Sequence, residues 1–247
     1  MNIKQAVFDR ISRRKFEKTP LEQVQIEQLD AALWEINRVG DLKVKMMLND
    51  PKPFSMSKSF AVLSGAENYF VLIGERDNIL EEEKLGYYGE SLVLLATTMG
   101  MGTCWIAGTY DSGLVDVELE DDEEIKCVIV FGNVKPGETM REKAISKVIK
   151  RNTKEVKDIL SSHDVVPNWV VEGVRFAVRA PSSQNRQPVR FYCSEDYVVA
   201  KVKGNHRCDY IDLGIAKLHF EIGAGYGKWE LDRKSTRLNS SHTNRSR

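Results

Sequence analysis

Apolar residues fall along this chain in blocks whose spacing changes from one block to the next. Ile3, Val7 and Ile11 recur at helical spacing, so residues 2–10 read as a helix. A second helix is predicted over LEQVQIEQLDAALWEI, with Thr19 as cap, Pro20 in the first turn and Glu22 completing a capping-box pattern. FAVLSG and YFVLIGE read as two strands around Gly65–Asn68. EEEKLGYYGESLVLLATTMGMG is the strongest helix signal, with acids at its start and a glycine pair at its end. KCVIVFGNV is a short apolar strand between the acidic run ELEDDEE, read as a solvated loop, and Pro136-Gly137. Residues 141–160 read as a connector plus a helix. PNWVVEGVRFAVRAP is a helix opened by Pro167 and closed by Pro181, RFYCSED and YVVAKVK are a strand pair, and DYIDLGIAKLHFEIGAGYGKW is a last helix with a glycine-rich end.

The order helix–strand–strand–helix occurs twice, which gives an α+β plan. Gly89 precedes Trp105 by sixteen residues and Gly214 precedes Trp229 by fifteen, each at a helix that ends in Gly-x-Gly. The echo suggests two diverged half-repeats, 1–140 and 141–232. Residues 233–247, RKSTRLNSSHTNRSR, carry five bases, no acid and one large aliphatic side chain, and read as a non-native tail outside the fold.

Composition then narrows the function. The 247 residues are 42% apolar and 29% charged, ordinary for a water-soluble domain. The formal charge is zero, but without the tail 31 bases face 36 acids, and a mildly acidic body argues against nucleic-acid partners. Cys104, Cys127, Cys193 and Cys208 form no C-x-x-C pair and read as reduced cytosolic thiols. There is no signal-peptide pattern, and no apolar run approaches the roughly 20 residues that span a bilayer. The expected location is cytoplasmic, without a membrane partner. His163, His206, His219 and His242 lack metal-ligand spacing, and His219 lies on an apolar helix face as a packed residue.

Three stretches carry chemistry. In RISRRKF, Arg10, Ser12 and Arg14 alternate where a helix gives way to extended chain, so two guanidiniums and a hydroxyl can clamp a phosphate, with Lys15 facing away. The alternative is a solvated basic helix end facing its own dipole. In APSSQNRQPVRF, Pro181 ends a helix, and Ser182, Ser183 and Asn185 can meet the edge of a polar heterocycle; the alternative is a capped turn. In MGMGTCWIAGTY, glycines at 100, 102 and 108 allow close backbone approach to a flat ligand. This Gly-x-Gly follows a helix rather than a strand, so it is not a dinucleotide fingerprint. No side chain reads as nucleophile or general base.

Together these stretches resemble the nitroreductase-like flavin enzymes. RISRRKF is similar to that family's R-R-S-x-R-x-F phosphate segment. APSSQNRQPVRF is similar to A-P-S-x-x-N-x-Q-P-W-R-F, and GMGTCWIAG to a G-x-G-T-x-W-I-G-G turn. The tandem plan over residues 3–231 resembles the Thermotoga-type branch. The resemblance implies a nitroreductase-like fold folded as an internal pseudo-dimer, with one FMN site per chain. Arg10, Ser12 and Arg14 would hold the phosphate, with Arg151 as a further cation. Pro181, Ser182, Ser183 and Asn185 would lie against the isoalloxazine, and Ile106, Ala107 and Gly108 near its reactive edge. Ile11 replaces a usual base, Val189 a usual Trp, and Ala107 a Gly or Glu. The implied activity is hydride transfer from NADH or NADPH through FMN to a small acceptor such as a nitroaromatic or quinone. The chain would work as a monomeric pseudo-dimer, with further self-association open. Two other readings stand beside it: an FMN-binding carrier or sensor without turnover, and a pseudo-dimer that has lost the cofactor.

Overall fold

An apolar strand such as Tyr69–Ile73 must be covered on both faces, and the computed structural model covers it with helices on one side and an extended N-terminal segment on the other. The structure describes all residues except 56–62, 149–153, 163–164, 195–196, 226–228, 231–235 and 240–247. The first sheet joins β1 (Lys43–Met47), β2 (Asn68–Glu75), β3 (Gly102–Ile106) and β4 (Glu123–Gly132), all antiparallel, in the spatial order β1-β2-β4-β3. Alternation sorts the side chains. Phe70, Leu72, Ile129 and Phe131 face the helices, while Tyr69, Val71, Val128 and Val130 pack under Phe16, Phe54 and Leu63.

The helices are α1 (Ile3–Asp9), α2 (Gln23–Gly40), α3 (Ile79–Thr98), α4 (Met140–Val148), α5 (Val156–Ile159), α6 (Asn168–Ala177) and α7 (Asp209–Ala224). The second sheet holds β5 (Leu160–Ser162), β6 (Arg190–Cys193), β7 (Tyr197–Lys201), β8 (Trp229–Glu230) and β9 (Thr236–Asn239) in the order β5-β6-β7-β9-β8. The β5–β6 pair is parallel and the others antiparallel. β9 lies inside the segment read as a tail. It lies between β7 and β8 and pairs with both through its backbone, so a polar sequence does not prevent it from joining the sheet.

α3 and α7 cross in close contact. A Cβ on Gly86 would collide with the Ile211 carbonyl, and one on Gly214 with the Glu83 carbonyl, so each glycine admits the other helix's backbone. Gly214 therefore faces Gly86 and its turn, whereas Gly89, its counterpart in the sequence echo, makes room for the Trp105 ring. Glu83 and Lys217 form a buried ion pair in the same contact, and burial holds the Lys217 ammonium down to about 8. Among the described residues no helix is long and apolar enough to cross a membrane.

Five expectations change. α2 begins at Gln23, with Glu22 as cap and the Gln25 side chain accepting from the Glu22 N–H; the Thr19 and Pro20 carbonyls instead accept from Asn133. Glu123 and Glu124 of the acidic run belong to β4. β1 was not anticipated from RVGDLKVKMML, because its lysines interrupt the apolar pattern. Residues 102–106 form a strand rather than a turn, with Cys104 and Ile106 buried on the face opposite Trp105. Of FAVLSG, residues 60–62 lie outside the described residues, and Ser64 makes only an isolated bridge to Lys15.

Candidate functional site

The stretch from Arg10 to Phe16 leaves α1 extended and runs beside the free edge of β3. Ser12 bridges Thr103 in parallel, Arg13 N–H donates to the Thr103 carbonyl at 2.8 Å, and Phe16 N–H donates to Ser64 O at 2.9 Å. Extended chain turns alternate residues to opposite sides. Arg13 turns inward over Gly102, where an added Cβ would lie 2.8 Å from its Cγ. Its guanidinium reaches Glu142 Oε1 at 3.2 Å and the Lys135 carbonyl at 3.0 Å. Ser12 and Arg14 are each half-buried. Neither the Ser12 hydroxyl nor the Arg14 guanidinium has a hydrogen bond or ion pair with a described residue. Lys15 is exposed, as expected.

Arg10 behaves differently. Its Nε lies 3.7 Å from Oε1 of Glu90, a carboxylate without solvent exposure on α3. Glu90 also accepts from Trp105 Nε1 at 2.8 Å and lies 2.8 Å from His219 Nε2 on α7. His219 is a buried core residue, as expected, but one with polar partners on both ring nitrogens: Glu90 and, at 3.4 Å, the Phe176 carbonyl. This network binds the start of the clamp to β3 and to both central helices.

β3 then leads away from the clamp. Four residues separate Thr103, beside Ser12, from Ala107, a span of about 13 Å. Ile106 is buried, Ala107 half-buried and Gly108 exposed, and a Cβ on Gly108 would meet nothing within 4 Å. Cys104 is buried, and burial pushes its thiol up, as fits a packed thiol rather than a reactive one.

The Ala-Pro-Ser loop follows α6 and packs on the first turn of α7. Arg179, at the end of α6, donates to the Phe8 carbonyl at 3.4 Å, so the loop departs alongside the end of α1. Gln184, Asn185 and Gln187 all have φ near +50°, a region that costs a non-glycine residue roughly 1 kcal/mol or more. The first turn of α7 restrains them. Asp212 accepts from Ser183 N–H at 3.0 and 3.2 Å, and Asp209 accepts from Arg186 at 2.9 Å. Ser182 Oγ accepts from Gln187 N–H at 2.9 Å. The Asn185 carboxamide has no hydrogen bond with a described residue. Pro181, Ser182 and Val189 line a cavity of about 20 Å³, enough for about one water, where a larger side chain at 189 would fill space.

Ser12 and Arg14 thus lie beside β3, which leads into residues 106–108, the 181–185 loop is held by the first turn of α7, and Arg10 is directed toward Glu90. Arg151 lies outside the described residues. Two participants escaped sequence reasoning. Glu90 was hidden inside an apolar helix pattern. Glu142 was passed over in a connector, although Thr139-Met-Arg-Glu142 is a capping-box pattern.

Asp212 gives this region a pH signature. Burial is the main cause, with nearby Asp209 adding to it, and together they push its carboxyl up to about 7. A raised folded pKa means the native state holds a proton that the unfolded chain has released, so stability falls as pH rises from about 4 to 7. Asp212→Asn removes that loss while keeping an acceptor for Ser183. The expected result is a gain on the order of 2 kcal/mol at pH 8 and little change at pH 4, read from thermal melts. Equal shifts at both pH values would refute it.

Comparison with solved structures gives the fold independently. A putative nitroreductase from Thermotoga maritima MSB8 matches with a TM-score of 0.61 and 21% identity, over 97% of this chain and 93% of that one. A putative NADH dehydrogenase/NAD(P)H nitroreductase from Parabacteroides distasonis ATCC 8503 matches over 64% of this chain and 97% of its own, with a TM-score of 0.46 and 19% identity. An FMN-dependent nitroreductase from Clostridium difficile R20291 matches over 60% and 97%, with a TM-score of 0.42 and 16% identity. No curated protein matches the chain. The family model described as "Putative TM nitroreductase" matches residues 2–224, and the chain belongs to that family.

Proposed function

We propose that the chain is an FMN-dependent oxidoreductase that takes hydride from NADH or NADPH and passes reducing equivalents to a small acceptor, a nitroaromatic or a quinone. The observation that carries this reading is the donor pair Ser12 and Arg14, without partners among the described residues, at one end of β3, with the open Gly108 backbone at the other. A span of about 13 Å suits a ligand with phosphate at one end and a flat ring at the other. Family membership supports the same chemistry.

When bound, FMN supplies the hydride-accepting centre, which a site without nucleophile or general base needs. The protein's own groups do the rest. The Arg14 guanidinium would give two parallel donors to the phosphate and Ser12 a third, with Arg10 and Arg151 adding positive charge. Backbone at Ile106, Ala107 and Gly108 would lie along the ring without a Cβ in the way. Pro181 would supply apolar cover, and Ser182, Ser183 and Asn185 polar contacts at the ring edge. The two halves would act as an internal pseudo-dimer that builds one site per chain.

An absorption spectrum of protein purified without added flavin tests the reading. The expected result is near one FMN per chain, released on denaturation and bleached by NADH or NADPH. Bound flavin that no nicotinamide bleaches would leave a carrier or sensor. Protein that takes up no FMN would remove the oxidoreductase reading.

A further inference from the structure

We propose that Glu142 is a positioning residue of the phosphate clamp: its carboxylate fixes the backbone at Arg13–Lys15 so that Ser12 and Arg14 face an FMN phosphate together. The inference rests on the FMN reading above.

An extended segment at a sheet edge has every second N–H directed away from its strand partner. Along the clamp, Arg13 N–H and Phe16 N–H find carbonyls at Thr103 and Ser64. The N–H groups of Arg14 and Lys15 go instead to a single atom, Oε1 of Glu142, at 2.7 and 3.3 Å. The same oxygen accepts from Arg13 Nε at 3.2 Å. The other oxygen accepts from Thr139 N–H at 2.7 Å, and Thr139 Oγ1 accepts from Glu142 N–H at 3.2 Å. Glu142 is thus the third residue of a capping box on α4 and also the anchor of a segment 128 residues away. Its side chain is 2% exposed. Burial works against its charge, yet these donors outweigh it and hold the carboxyl at about 2, so it stays ionised at any working pH.

Two consequences reach the phosphate side. The bond to Arg14 N–H settles which way residue 14 faces. Arg13, held by Glu142 and the Lys135 carbonyl, is turned into the protein and kept from competing with Ser12 and Arg14 for a phosphate.

The sign of one substitution separates positioning from charge. Glu142→Gln removes a negative charge close to the clamp, and its single acceptor oxygen cannot serve both Thr139 N–H and the Arg13–Lys15 donors, which loosens the hold on Arg13. On Coulombic grounds alone both changes tighten binding of a dianionic phosphate. Loss of a positioning residue does the opposite.

The experiment is a fluorescence-quenching titration of the full chain and of Glu142→Gln with FMN and with riboflavin, which lacks the phosphate. The positioning role predicts FMN affinity weaker by about tenfold and riboflavin affinity within about twofold, since a misplaced clamp forfeits charge-assisted bonds to phosphate only. Glu142→Asp, which keeps the charge but cannot reach both N–H groups, is expected to show the same preference for losing FMN, and carries the test should Glu142→Gln not fold. FMN affinity that holds or tightens, or equal losses for both flavins, overturns the inference while leaving the FMN reading intact. A wild-type chain that binds neither flavin overturns the FMN reading, and this inference with it.

Discussion

Gly214→Val is expected to lower the melting temperature by about 5–10 °C or to leave no folded protein at all. The position has no space to yield. A Cβ there would stand 2.6 Å from the Tyr87 amide nitrogen and closer still to the Glu83 carbonyl, and both are helix backbone rather than movable side chain. α3 cannot retreat, because Gly89 on its far side already admits the Trp105 ring. α7 cannot retreat either, because Phe220 fills the space over Gly173 and Gly223 rests on the Glu172 carbonyl. Overpacking of this kind costs roughly 1–3 kcal/mol or more. For a chain of this size each kcal/mol moves the midpoint by about 2–4 °C. Gly108→Ala is the matched control: an added Cβ there meets nothing, so its melting temperature should match wild type to within about 2 °C. If Gly214→Val melts with the wild type, the close α3–α7 crossing is wrong.

That crossing shows what could be read from sequence. The helical periods of α1, α3, α6 and α7 and the apolar runs of β2, β4, β6 and β7 announce themselves locally, since each element buries a face whose spacing is set by its own geometry. β1 did not, because Lys43 and Lys45 stand on its solvent-facing side and pair with or lie near acids of β4. β3 did not, because Gly100 and Gly102 at its start make the stretch read as a turn. The candidate site divides in the same way. Arg10, Ser12, Arg14 and the Pro181–Asn185 loop were legible as clusters of suitable chemistry. Their supports were not: Glu90, Glu142 and Asp212 act across separations of tens to more than a hundred residues. The sequence echo pairs Gly89 with Gly214, whereas the helix contact pairs Gly86 with Gly214.

Arg14→Ala is expected to weaken FMN binding by about 10- to 100-fold. A hydrogen bond to a charged group contributes roughly 1.5–3 kcal/mol, and a guanidinium can make two in parallel. Arg14 is the cleaner choice over Arg10. Removing Arg10 strips a cation from the buried Glu90 network and would cost stability through an unbalanced carboxylate. The Arg14 guanidinium has no described partner to orphan, so the folded state should tolerate its loss. Lys15→Ala removes the same charge one residue further along, from an exposed side chain, and should change affinity by less than about threefold through diffuse electrostatics alone. Raising the salt concentration should shrink the Lys15 effect more than the Arg14 effect, since a contact pair is screened less than a distant one. Riboflavin supplies the second control, because a clamp that grips only phosphate leaves its affinity nearly unchanged in the variant. Equal losses for riboflavin and FMN would move Arg14 to the ring. Unchanged FMN affinity in Arg14→Ala would remove the clamp, and the phosphate would then need another cation, for which Arg151 is the first to test.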